Sequence, residues 1–321
     1  MPSILVLTEP LPAPGMRLLA GRSDVAVRVL DAPTAGALRA ALPDADGVVM
    51  MMEQPALTAD LVERAPRLRV ACRMGAGYDN FDVPALTRRR IPLATVGAAN
   101  AATVAEHALY LMLALARRGP SLDRAVHGGA WPRALVGVEL AGLTCLVVGY
   151  GRIGREIARR AAAFDMSVWG VSRSGTGDTT HAEKIAPVSQ FRELLPHADY
   201  IVISAPETPE TFHLIGAQEL SLLKPSAFLI NLARGSLLDQ TAFIAALREN
   251  KLAGAALDVT DPEPPPPSDP IWKAPNLFIT PHTSAISDRL WPRETSLLLD
   301  LLERWFDGRE LFNLVDLHRG Y

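Results

Sequence analysis

Apolar residues in this chain come in short runs separated by polar, helix-like or turn-rich stretches. Ile4–Leu7, Val25–Leu30, Val48–Met52 and Leu68–Cys72 are runs of strand length, and Ala35–Leu42 and Leu57–Ala65 between them have helical spacing. Strands alternating with helices predict a parallel α/β sheet, covered on both faces. From Ala98 to Arg118 an alanine- and leucine-rich stretch predicts one long helix, and Ser121 to Leu140 predicts a less regular arm. The alternation resumes with apolar runs at Cys145–Val148, Ser167–Ser172, Tyr200–Ser204, Phe228–Asn231, Ala255–Val259 and Leu277–Thr280, six strands suited to a doubly wound sheet. Helices are expected near Gln190–Leu195, Ala217–Leu223 and Gln240–Glu249, and Arg289–Phe306 is an amphipathic helix.

The turn after Cys145–Val148 is Gly149-Tyr150-Gly151-Arg152-Ile153-Gly154, and a helical pattern follows it. Strand, glycine turn and helix start are what a dinucleotide pyrophosphate requires. Gly149 allows the tight turn, Gly151 clears the approach of phosphate, and Gly154 lets helix and strand pack closely. The helix N-terminus supplies free N–H groups and a positive dipole.

Length supports two domains, since 321 residues exceed one ordinary domain. The fold class expected is α/β, with two Rossmann-like or flavodoxin-like parallel-sheet domains and a cleft between them. The first domain comprises residues 1–97 and 288–321; the second comprises 98–287, with an arm near 98–140. A net charge of −3 argues against nucleic acid and anionic membranes as partners. No apolar run reaches the ~18 residues of a membrane span, and the N-terminus has no basic signal region. Cys72 and Cys145 make no metal-ligand pattern. A soluble cytoplasmic protein is the resulting expectation.

Three polar residues follow strand ends in the second domain: Arg234, Glu263 and His282. Arg234 offers a fork of donors for a carboxylate or carbonyl. His282 is suited to general acid work near neutral pH. A carboxylate such as Glu263 beside an imidazole favours its charged form and fixes its tautomer. The proline run around Glu263 stiffens that loop. In the first domain, the glycine pair of Met74-Gly75-Ala76-Gly77 follows a strand end, where backbone N–H groups can hold a carboxylate; a plain chain reversal is the alternative.

These stretches, in this order, resemble the D-isomer-specific 2-hydroxyacid dehydrogenase family over nearly the whole chain. The resemblance rests on Gly75–Asn80, Asn100 through Val104–His107, the glycine turn, Ala198–Tyr200 through Pro206–Thr211, Leu223–Pro225 to Asn231–Gly235, Leu257–Pro264 and Thr280–His282. It implies reduction of a small 2-oxoacid of the glyoxylate or hydroxypyruvate type, with hydride from a nicotinamide cofactor and the proton from His282. Glu263 then supports His282, and Arg234 binds and polarises substrate. Met74, Gly75, Ala76 and Gly77 complete the implied substrate contacts, and Tyr78 and Trp291 are weaker candidates. The resemblance also implies cofactor contacts at Thr103, at Gly149, Gly151, Arg152, Ile153 and Gly154, and at Ala205, Pro206 and Thr211. Leu232, Ala233, Arg234, Asp258 and His282 complete that set, with Asp258 near the nicotinamide. A homodimer built on the nucleotide domain is a further implication, and the arm, with Trp131, fits it. Related alternatives are a 3-phosphoglycerate dehydrogenase, a dinucleotide-sensing binding protein of the corepressor kind and, more distantly, formate or phosphite oxidation.

Two departures bear on the cofactor. Ser204 stands where many relatives have histidine or asparagine. The strand Ser167–Ser172 ends in Ser172-Arg173-Ser174 with no acid before Asp178. An acid there binds the ribose hydroxyls of NAD; arginine with two hydroxyls suits a 2′-phosphate, so NADP(H) is favoured over NAD(H).

Overall fold

The computed structural model describes residues 2–51 and 54–316, the side chain of Ala98 excepted. The chain divides into two compact units, Met1–Asn100 with Ser287–Tyr321, and Ala101–Ile286.

The first unit is built on a five-stranded parallel sheet of β1 (Ser3–Leu7), β2 (Val25–Val29), β3 (Gly47–Met50), β4 (Val70–Arg73) and β5 (Leu93–Thr95), in the order β2-β1-β3-β4-β5. This is the flavodoxin-like order. Leu5, Val49 and Met50 are fully buried because the sheet is covered on both faces. One covering layer is the helix Leu290–Phe306, whose Leu298, Leu301 and Leu302 bury against Leu5, Leu7 and Val49. Met52, the last residue of one expected strand, lies outside the described residues, as does the end of the expected first domain at 317–321.

The second unit carries a seven-stranded parallel sheet of β6 (Thr144–Val148), β7 (Ser167–Ser172), β8 (Lys184–Pro187), β9 (Tyr200–Ile203), β10 (Phe228–Asn231), β11 (Gly254–Leu257) and β12 (Leu277–Ile279). The order is β12-β11-β10-β9-β6-β7-β8. It is the doubly wound dinucleotide order, extended by one strand. Strand ends share a row: Val171 pairs with Val148, Val148 with Ile203, Ile203 with Asn231, Asn231 with Leu257, and Leu257 with Ile279. The loops leaving this row carry Arg173, Ser174, Thr211, Arg234, Asp258, Glu263 and His282.

Three expectations need correction. The helix predicted over Ala98–Arg118 is a 3₁₀ turn at Gly97–Asn100 followed by a helix over Ala101–Ala116. Arg118 adopts a left-handed backbone, φ +51°, ahead of Gly119-Pro120, which stops the helix. The arm expected to be irregular from Ser121 instead begins with a second helix, Gly119–His127. The fingerprint sheet also has a seventh strand, β8, beyond the six expected. It is a half-exposed edge strand ending in proline, so its apolar signal is weak.

The two cysteines sit one in each unit, Cys72 on β4 and Cys145 on β6. Both are buried, and burial pushes each thiol up to about 12. Among the described residues, no helix is long and apolar enough to cross a membrane.

Candidate functional site

Each glycine of the turn after β6 has a separate reason. Gly149 has φ +95°, and a Cβ there would fall 2.4 Å from the backbone nitrogen of Ala205. A Cβ at Gly154 would fall 2.3 Å from the carbonyl oxygen of Gly149. Gly151 differs: nothing lies within 4 Å of the position its Cβ would take. Gly151 is the N-cap of the helix Arg152–Ala162, and no side chain caps it. Open space in front of uncapped helix N–H groups fits a pyrophosphate. The backbone N–H groups of Gly149 and Tyr150 donate to the Val171 carbonyl at 3.0 and 2.8 Å, pinning the turn to the end of β7. Ser204 lies beneath it, its hydroxyl donating to the Gly149 carbonyl at 2.9 Å.

Beyond β7, the hydroxyl of Ser172 donates to the Thr176 carbonyl at 3.0 Å, and those of Ser174 and Thr176 meet at 2.7 Å. Arg173 faces Glu210, whose carboxyl is held below its usual range by the Thr208 hydroxyl first and by Arg173 in part. The Thr211 hydroxyl donates to the Pro206 carbonyl at 2.7 Å and shapes the loop after β9. Asp178 folds back toward Arg155 and Tyr150.

The loop after β10 is shaped by Asn231, fully buried at the strand end. Its amide oxygen accepts the N–H of Ala233 at 3.0 Å, and its amide nitrogen donates to the Arg234 carbonyl at 2.8 Å. This side-chain turn presents Leu232, Ala233 and Arg234 at the rim. A Cβ at Gly235 would fall 2.0 Å from the carbonyl carbon of Thr260, so the loops after β10 and β11 meet backbone to backbone. The latter loop carries Glu263, whose Oε1 lies 2.6 Å from Nδ1 of His282. With Glu263 ionised, Nδ1 is the donor and Nε2 is left for other work.

His282 has φ +53°, a left-handed backbone that a residue with a Cβ rarely adopts. Its N–H donates to the carbonyl of Asp258 at 2.8 Å. The Asp258 carboxylate accepts the N–H groups of Thr283 and Ser284 at 2.9 and 2.8 Å and the Thr280 hydroxyl at 2.6 Å. His107, on the helix Ala101–Ala116 that also carries Thr103, places Nε2 3.0 Å from that hydroxyl. Burial holds His107 below its ordinary range, with Asp258 pulling the other way.

In the first unit, Met74 is buried and Gly75 has φ +113°. The Arg73 guanidinium underlies this turn. Its Nε donates to the Gly77 carbonyl at 2.9 Å, and one terminal nitrogen donates to the carbonyls of Met51, at 2.6 Å, and Met74. A Cβ at Gly97 would fall 2.2 Å from Cα of Ala76, so the turn is wedged from behind. Tyr78 is half-buried against the core and Trp291 is exposed.

The structure thus brings Glu263 and His282 into contact and sets Arg234 on the neighbouring loop. Sequence reasoning missed Asn231 and Arg73 as loop-shaping residues and the chain His107–Thr280–Asp258. The available signal was a polar residue at or just past the end of an otherwise apolar strand, seen at Arg73, Asn231 and Asp258.

A family model described as D-isomer specific 2-hydroxyacid dehydrogenase, NAD binding domain, matches residues 109–284. The D-3-phosphoglycerate dehydrogenase of Methanocaldococcus jannaschii is 33% identical over 314 residues, which cover 98% of this chain and 59% of that protein. This chain therefore spans about three-fifths of that relative's length. The glyoxylate reductase of Thermococcus litoralis is 33% identical over 319 residues, covering 97% of this chain and 96% of that one. Among solved structures, the NADPH-dependent glyoxylate/hydroxypyruvate reductase of Sinorhizobium meliloti, in complex with NADP and malonate, superposes with a TM-score of 0.85. It is 26% identical, and the match covers 99% of this chain and 98% of that one.

Proposed function

The chain belongs to the D-isomer specific 2-hydroxyacid dehydrogenase family, and from that premise we propose that it is an NAD(P)-dependent reductase of small 2-oxoacids, of the glyoxylate or hydroxypyruvate type. The observation that carries this reading is the Glu263–His282 contact of 2.6 Å on a loop packed against the one bearing Arg234. An acid–base pair beside a carboxylate-binding fork is what reduction of a 2-oxoacid needs.

A nicotinamide cofactor, when bound, would supply the hydride for C2. His282 donates the proton to the developing C2 alkoxide from Nε2. Glu263 accepts Nδ1–H throughout, fixing the ring and stabilising the imidazolium before transfer. Arg234 pairs with the substrate carboxylate or carbonyl through its planar fork. Within the first unit, Arg73 sets the shape of the turn at Met74–Gly77, whose Ala76 and Gly77 N–H groups the family resemblance assigns to a carboxylate. The helix N-terminus at Gly151, with Arg152, Ile153 and Gly154, takes the pyrophosphate. Thr103, Ala205, Pro206, Thr211, Leu232, Ala233 and Asp258 are assigned to the rest of the cofactor.

We favour NADP(H). Ser172, Arg173 and Ser174 stand at the end of β7 where an NAD site keeps an acid. Glu210 beside Arg173 partly offsets the attraction for a 2′-phosphate, so the preference expected is modest, about tenfold. The name of the M. jannaschii relative makes 3-phosphohydroxypyruvate a third substrate worth testing.

The test is steady-state oxidation of NADPH and NADH with glyoxylate, hydroxypyruvate and 3-phosphohydroxypyruvate, alongside His282→Ala. Turnover should favour NADPH and fall by roughly 10²–10⁴ in the variant. Preference for NADH would remove the Arg173 argument and leave the dehydrogenase. Dinucleotide binding without turnover of any oxoacid would favour a binding protein instead.

A further inference from the structure

We propose that His107 is a positioning residue for His282, acting through Thr280 and Asp258; this rests on the reductase reading above. A threonine hydroxyl has one proton, and that of Thr280 is given to Oδ1 of Asp258 at 2.6 Å. The Thr280 oxygen can therefore only accept from His107, 3.0 Å away, which places a proton on Nε2 of His107. Nε2 is itself 3.7 Å from Oδ1, beyond direct hydrogen bonding, so the hydroxyl is the link. Burial, against the pull of Asp258, favours the neutral ring with its single proton. Tyr110 meets the ring edge-on, with centroids 5.5 Å apart, and holds its plane.

The direction of the chain is thus fixed: His107 Nε2–H to Thr280, and Thr280 O–H to Asp258. At its far end the Asp258 carboxylate holds the N–H groups of Thr283 and Ser284, and the Asp258 carbonyl holds that of His282. A carboxylate that holds three donors cannot rotate without losing them, and these donors flank His282. They hold the left-handed backbone that the histidine would otherwise leave. Glu263 fixes the ring of His282, and the chain from His107 fixes the backbone from which the ring projects.

The experiment compares His107→Leu, Thr280→Val and His107→Gln, whose amide N–H can replace Nε2–H. Three quantities are read: kcat and KM for whichever oxoacid the unaltered protein reduces, the dinucleotide Kd, and amide exchange at Thr283 and Ser284 in dinucleotide-free protein. The Leu and Val variants should lose about tenfold in kcat, with KM and Kd changed by no more than about twofold, and Thr283 and Ser284 should exchange about tenfold faster. The Gln variant should recover most of both. Unchanged exchange in the Leu variant, or equal loss of kcat in the Leu and Gln variants, overturns the proposal. If the unaltered protein reduces no oxoacid, the reductase reading fails, and the exchange comparison still decides whether His107 holds the loop.

Discussion

Glu294 is a carboxylic acid on the helix Leu290–Phe306 with 3% of its surface exposed. Burial raises its carboxyl to about 7, although the Arg73 charge opposes this. A folded-state value above the unfolded one gives stability that is full below about pH 4.5 and is lost as pH rises through about 7. Glu294→Gln removes that dependence. Its stability relative to the unaltered protein should improve by on the order of 2 to 3 kcal/mol between about pH 5 and about pH 8, by denaturant titration. An offset that stays constant across this range would mean that Glu294 does not change its protonation there. Arg73 is shared between this acid and the carbonyls of the Gly75–Gly77 turn, so the same experiment shows how far that turn tolerates a neutral neighbour.

At the level of elements, the fingerprint joins strand to helix through backbone contact. Gly154→Ala puts a methyl group 2.3 Å from the Gly149 carbonyl, and backbone cannot move aside as a flexible side chain can. The expected cost is about 3 kcal/mol, with loss of dinucleotide binding in a fluorescence titration. Normal binding would mean that helix and turn separate at little cost. The elements legible from pattern alone were the buried ones. Ser167–Ser172 has the same bounds in sequence and structure because its apolar run, buried at Val168, Gly170 and Val171, is ended by polar residues. The helix Ala13–Ala20 is not among the expected elements; its sequence holds the turn formers Pro14 and Gly15, yet proline is at home in a first helical turn. Within the candidate site, the strand ends directed attention to Arg234, Glu263 and His282. The partners of Asp258 were not legible, because His107 is more than 150 residues away and meets Thr280 only through folding.

The whole molecule leaves apolar surface concentrated on one of its two units. Tyr110 and Phe164, both about half exposed, border an open depression of about 760 Å³ whose other apolar walls include Leu109 and Leu113. Trp131 and Val136 on the following arm are more than 70% exposed. Apolar surface at this density marks an association site, and a second copy of the chain, the partner implied by the family resemblance, is the proposed occupant. Sedimentation velocity should give a dimer for the unaltered protein and a monomer for a Phe164→Asp, Val136→Asp double variant, since a stable interface needs roughly 1,000 Å² of well-packed contact. A monomeric unaltered protein would leave that surface unexplained.

Cys72 and Cys145 carry a consequence for how the molecule opens. Each is the single thiol of its unit, sealed within a strand and held protonated. A thiol reagent can reach either one only when the surrounding sheet comes apart, because the thiolate that reacts must first meet water. Labelling followed by peptide mass analysis therefore times the opening of each unit separately in the unaltered chain. Saturating dinucleotide would slow the reaction at Cys145, four residues ahead of the glycine turn. A matching delay at Cys72 would measure how strongly the two units share their stability.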